Sequence, residues 1–146
     1  MRTVHLAWVT VLSLAPLAVA PPTSAMPALA QPALIQSDDA VDARLSSDYD
    51  DCMDAADTTT DMQACVKAEF ADQDADLNSA YRDLLADSDP GPAAAFRRSQ
   101  RAWLAVRDSD CIAESGGGTQ GRVDASICVL RKTVARTLWL EARASD

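Results

Sequence analysis

Four cysteines, Cys52, Cys65, Cys111 and Cys128, limit what this chain can fold into more than any other feature of its sequence. What they do depends on where the chain goes, and its first residues speak to that. Arg2 and His5 give a short positive start, Leu6 to Ala20 is an apolar run without charge, and a segment rich in Pro, Ser and Ala follows. This is the pattern of a secretory signal peptide, and the run is short for a membrane span. Residues 1–30 are expected to be removed after Ala28-Leu29-Ala30. Thr23-Ser24-Ala25 is a competing site, and Ala18-Val19-Ala20 a poorer one because proline follows it. No cysteine lies near these sites to accept a lipid, so no stable membrane anchor is expected. The mature chain reads as exported, to the periplasm or the medium.

In an oxidising compartment an even number of cysteines points to disulfides. Four allow three connectivities. Cys52–Cys65 with Cys111–Cys128 is the favoured one, since each bridge then closes a short local loop. In the chain-entropy model such a bridge is worth about 3 kcal/mol, which matters to a mature chain of roughly 115 residues. Zinc is a poor alternative: no cysteine pair has CxxC spacing, and no histidine follows His5. The missing histidine also removes catalytic triads, Cys–His dyads and imidazole acid–base chemistry. An enzyme here would need paired carboxylates, or a serine with Lys67 or Lys132. No pair of carboxylates stands out in apolar surroundings that would raise one pKa. No catalytic residue, metal or cofactor is therefore expected.

The net charge is −9, and it is unevenly spread. Asp38 to Asp76 holds thirteen acidic and two basic residues, whereas Leu77 to Asp146 holds nine acidic and ten basic. The acidic half argues against binding nucleic acid or anionic lipid. It suits a basic partner, or a solvated face that keeps the protein soluble.

The periodicity is helical throughout. Residues 31–40 read as a disordered leader before a single domain over 41–146, with the first acidic helix placed from Asp38 to Met53 on the spacing of Val41, Leu45, Tyr49 and Cys52. A long second helix is expected to open with the capping box Thr60-Asp61-Met62-Gln63. Its buried stripe is Val66, Phe70, Leu77, Tyr81 and Leu84, interrupted at Gln73 and Asp74, and it stops near Asp87. Asp72 to Asp76 has the look of a calcium loop, but lacks the glycine of the sharp turn and sits within the helical pattern. Pro92 fits the first turn of a third helix that runs to about Ala113. Glu114 to Arg122 reads as a glycine-rich loop without phosphate-loop chemistry. A fourth helix starts at Val123 or Asp124, with Ile127, Leu130, Val134 and Leu138 as its stripe. The fold expected is all-α, a small antiparallel bundle of about four helices stapled by two disulfides.

The third helix carries the most informative face. Phe96, Gln100, Trp103, Arg107 and Cys111 follow at spacings of four, three, four and four, which puts all five on one side. Gln100 and Arg107 are buried there only if each finds a hydrogen-bond partner. The simpler reading is a helix–helix seam with a satisfied arginine. The sharper one is a partner-binding surface, because Trp and Arg are enriched at interface hot spots.

Taken together, the motifs resemble the LprI-type lysozyme inhibitor domain. The resemblance rests on Cys52 and Cys65; on Asp76-Leu77-Asn78 with Tyr81 and Leu84; and on Gln100-Arg101-Ala102-Trp103 with Arg107-Asp108 and Cys111. Paired glycines, Cys128, Thr133 and Arg136 complete it. It covers about Asp50 to Leu140. It implies a small helical, disulfide-bonded envelope domain, not an enzyme, that blocks lysozyme by protein–protein contact. The family's namesake is a lipoprotein, an anchor this chain's leader does not provide. Asn78, Tyr81, Gln100, Trp103, Arg107 and Asp108 match the family pattern and are candidate contact residues, each also open to a purely structural role. Animal lysozymes are basic, so an acidic protein would be steered to them. A loop tethered by Cys111 and Cys128, with Gly116, Gly117 and Gly118 at its centre, would insert into a cleft at little entropic cost, and Arg122 would face the cleft's carboxylates. Two competing functions are an envelope interaction module unrelated to lysozyme and a carboxylate-dependent cell-wall hydrolase.

Overall fold

The computed structural model describes residues 37–145, which form five helices and, among the described residues, no strand. Residues 1–30 and most of the expected leader lie outside the described residues. Two short helices, α1 (Asp38–Asp42) and α2 (Ser47–Ala55), precede three long ones, α3 (Thr59–Ala86), α4 (Pro90–Glu114) and α5 (Gly118–Ala144).

The acidic start is two helices where the spacing predicts one. The leader's last residues already belong to α1, because Ser37 caps it by accepting a hydrogen bond from Ala40 N, and Asp38 and Asp39 sit at the positive end of the helix. The break after α1 has a cause in α3. Glu69, buried although charged, accepts from Ser46 N at 3.1 Å and from Ser46 Oγ at 2.6 Å. The same Ser46 Oγ accepts from Tyr49 N and so caps α2. Gln73 Nε2 donates to Glu69 Oε1 and to the carbonyl of Arg44. The stripe of α3 is thus not interrupted at Gln73: the polar pair Glu69 and Gln73 fills it and binds the α1–α2 turn.

The cap of α3 lies two residues before the expected one. Thr58 is the N-cap, accepting from Asp61 N and donating its hydroxyl to Asp61 Oδ2 at 2.6 Å. The short side chain of Asp61 closes on the threonine three residues back, which Gln63 does not do for Thr60. The largest correction is at the other turn. The expected nine-residue loop is three residues long, since α5 starts at Gly118. Gly118 has φ of 77°, a conformation that favours glycine. A Cβ on Gly121 would lie 1.6 Å from the carbonyl oxygen of Gly116, so the turn packs its backbone against the first turn of α5 where a side chain cannot fit.

α3, α4 and α5 run antiparallel in succession, and α5 is the common partner, packing on both long neighbours and on α1. Val41, Val66, Leu130 and Val134 form one apolar cluster, with Leu45, Tyr49, Phe70 and Ile127 against it. Leu77, Ala80, Leu84 and Leu140 form a second at the other end, with Tyr81, Phe96, Trp103 and Trp139. Ion pairs fasten α1 and the turn after it: Arg44 to Glu141 in a two-pronged contact, and Arg131 to Asp38 and Asp42. The disulfides are Cys52–Cys65, joining α2 to α3, and Cys111–Cys128, joining α4 to α5. Their Cα separations of 5.7 and 5.5 Å are ordinary for the bond.

Candidate functional site

α4 packs on α5 and touches α3 only sparingly, so a groove opens between α3 and α4 with α5 as its floor. Its volume is about 730 Å³. α3 contributes Gln63, Val66, Lys67 and Phe70; α4 contributes Arg107, Asp108 and Ile112; α5 contributes Ala125, Ser126 and Val129. Ile112 is the most exposed large apolar side chain described, at 68 %. Leu104, also exposed, lies two turns before it on the same face of α4, with Asp108 between. Apolar side chains from all three helices line it, with polar groups from each helix among them.

Arg107 is built into the wall of this groove. It is 9 % exposed. Its Nε donates to Asp108 Oδ1 at 2.7 Å, and its Nη1 donates to Thr133 Oγ1 at 3.2 Å. Thr133 is itself fully buried and donates its hydroxyl to Val129 O. The guanidinium lies 5.0 Å from the centre of the Trp103 ring and 5.6 Å from that of Phe70. A buried charge costs several kcal/mol unless it is paired and hydrogen-bonded. Here one carboxylate, one hydroxyl and two ring faces compensate it.

One and two turns away, Gln100 and Trp103 serve a second guanidinium. Arg136 Nε donates to Gln100 Oε1 at 2.8 Å, and its Nη2 donates to Ser99 Oγ at 2.9 Å. Its carbon sits 4.1 Å from the centre of the Trp139 ring and 5.7 Å from that of Trp103. Arg143 lies over the same Trp139 ring at 4.7 Å, and Phe96 meets that ring edge-on. Burial, followed by repulsion from Arg143, pushes Arg136 down to about 10, with Tyr81 acting weakly the other way.

The candidate residues therefore fall into groups. Arg107 and Asp108 line the groove. Tyr81, Gln100 and Trp103 sit in the helix seams, half-buried or buried. Gly116 and Gly117 form the exposed turn, and Gly118 opens α5. Arg122 is exposed on the second turn of α5, where it is a helical residue and not part of a loop. Asn78 stands apart on the outer face of α3, its amide bonded to Asp74. Sequence reasoning did not find the groove walls Gln63, Lys67, Ile112 and Val129. The signal for one was present: Leu104 and Ile112 are apolar residues beside, not on, the face that carries Trp103, Arg107 and Cys111.

Comparison with known proteins gives a consistent answer. The family model for lysozyme inhibitor LprI matches residues 50–140. That span holds both disulfides, every residue named as lining the groove, and the glycine turn. An uncharacterized protein of Rhizobium meliloti (strain 1021) is 30 % identical over 107 residues, covering 62 % of this chain and 76 % of the relative. No solved structure matches. The chain belongs to the LprI family of lysozyme inhibitors.

Proposed function

We propose that this protein is an exported inhibitor that blocks lysozyme by protein–protein contact, acting in the periplasm or the medium. The observation that carries the reading is the family match over residues 50–140, which spans every element around the groove. Physical support comes from the charge. Thirteen acidic residues lie between Asp38 and Asp76, all but Asp57 on α1, α2 and the first two-thirds of α3, and all but the buried Glu69 contribute to the surface there. That surface attracts a basic enzyme at low salt and speeds the encounter.

The contact surface in this proposal is the end of the molecule where the groove opens beside the Cys111–Cys128 bridge. Ile112 and Leu104 supply exposed apolar area, Asp108 and Lys67 supply polar direction, and Gly116 and Gly117 let a partner's backbone come close. Because the turn is short and α5 begins at Gly118, inhibition relies on this preformed face and not on a long inserted loop. Residues 1–30 act as the signal peptide in this reading. No helix among the described residues is long and apolar enough to cross a membrane.

The test is lysozyme activity on cell-wall substrate, titrated with the purified oxidised protein at low and moderate salt. Dose-dependent inhibition that weakens with salt is expected. Ile112→Asp should weaken it at least about tenfold, the cost of charging the centre of an apolar contact. Absence of inhibition at micromolar protein against several lysozyme types would overturn the proposal and leave an envelope interaction module as the better reading. Release of cell-wall sugar by the protein alone would instead favour a hydrolase.

A further inference from the structure

The cations of this molecule are not treated alike. Four that are buried or partly buried each face a carboxylate: Arg44 pairs with Glu141 and Asp76, Arg107 with Asp108, Arg131 with Asp38 and Asp42, and Lys132 with Asp110 and Glu114. Arg136 and Arg143 are also partly buried, yet among the described residues neither has a carboxylate within salt-bridge distance. Scarcity is not the reason, since the chain holds 22 acidic residues against 13 Lys and Arg. Both guanidiniums lie over one indole, at 4.1 and 4.7 Å from its centre, so neither is far from the other. Holding two like charges together away from full hydration is unfavourable unless a counter-charge arrives.

The pair is also pre-aimed. Arg136 spends two of its five N–H groups on Gln100 and Ser99, which fixes its plane and leaves Nη1 without a protein acceptor among the described residues. Arg143 makes no side-chain hydrogen bond in the described structure and is positioned by its ring contact alone. Arg97, Arg98 and Arg101 stand exposed on the same stretch of α4 that carries Ser99 and Gln100, and add positive potential to this side. It is separated from the groove by the Trp103 ring, which Arg107 meets on the groove side: Phe96 and Trp139 pack on the second apolar cluster, whereas Val66 and Phe70 belong to the first.

We propose that Arg136 and Arg143, gathered over Trp139, form a binding site for a phosphate-class oxyanion. Two partly desolvated guanidiniums match a dianion. A single carboxylate would neutralise only half of their charge, whereas a phosphate monoester neutralises both and accepts several N–H bonds at once. The same chemistry is offered by a soluble phosphate and by the headgroup of a phosphomonoester lipid. The proposal is independent of lysozyme binding.

The test titrates inorganic phosphate into the purified full chain at constant ionic strength, with chloride as the balancing salt. Tryptophan fluorescence and the thermal midpoint are the readouts. A saturable response that chloride does not produce is expected. Arg143→Gln should weaken it about tenfold or more, the worth of one charge-assisted hydrogen bond. Arg143 holds no other element in place, so this variant stays folded, which circular dichroism checks. Arg122→Gln should bind as the parent does. The same response in the parent and in Arg143→Gln, or none beyond chloride, would overturn the proposal. So would acetate binding as tightly as phosphate. Vesicles of phosphatidylcholine with and without phosphatidic acid then separate the sources. Arg143-dependent sedimentation with the phosphatidic acid vesicles supports the lipid headgroup, and phosphate binding without sedimentation supports the soluble anion.

Discussion

α5 presents two different seams to its two long neighbours. Toward α3 the contact is apolar, with Leu130 and Val134 against Val66 and Phe70, and Leu140 against Leu77 and Leu84. Toward α4 it is made of guanidiniums, an amide and hydroxyls set against aromatic rings: Arg107 with Thr133 and Trp103, and Arg136 with Gln100, Ser99 and Trp139. The difference is instructive. Apolar packing is non-directional and worth about 25 cal/mol per Å² of buried surface, so it brings α3 and α5 together along their whole length. The polar seam gains less per contact, but each bond has one geometry. It fixes the position of α4 and leaves room beside it for a groove.

The contrast predicts an order of damage. Leu130→Ala, in the apolar seam, should cost about 2–5 kcal/mol in urea unfolding, whereas Leu104→Ala, on the groove side of α4, should stay within about 0.5 kcal/mol. Equal losses would mean that α4 shares the α3–α5 core. Next in size, replacing Cys111 and Cys128 by serine should cost about 3 kcal/mol. Hydrogen exchange should then rise in the last turns of α4 and the first of α5, while the middle of α3 keeps its protection. Uniform loss of protection would break the distinction. Arg107→Lys should still cost about 1–2 kcal/mol, because an ammonium cannot reach Asp108 and Thr133 together while lying flat on two rings. Full rescue by lysine would reduce that residue to a simple charge.

The smallest effect is on the apolar side. Burial, aided by Asp50 and Glu69, raises the Tyr49 phenol above its ordinary value. As pH climbs from that ordinary value toward the folded one, the unfolded chain loses the proton first, so stability falls. Tyr49→Phe should flatten this alkaline slope, measured by urea unfolding at a series of pH values. An unchanged slope would mean that other groups govern it.

Much of this was legible in the sequence, and the misses share one cause. The all-α class, the two bridges and the α4 face from Phe96 to Cys111 follow from spacing, which is a local property. The break at Ser46 and the burial of Glu69 and Gln73 depend on residues 23 and more positions apart meeting in space, and no periodicity carries that. The glycine turn departs from expectation for a related reason. Glycine has a low helix propensity, so the run from Gly116 to Gly121 reads as loop. It is the close approach of Gly116 to Gly121 that lets the helix begin so early. The groove was invisible because it is defined by how little α3 and α4 touch, which no periodicity carries.

The two bridges have a consequence for biosynthesis. They span 13 and 17 residues and do not interleave: the first loop is closed before the second cysteine pair begins. A chain threaded through a membrane N-terminus first would present Cys52 and Cys65 together, well ahead of Cys111. Each thiol then meets its own partner before a wrong one has emerged, so oxidation in order of arrival yields the native pairing without reshuffling. Such a protein can be made correctly in compartments with a dithiol oxidase but little isomerase.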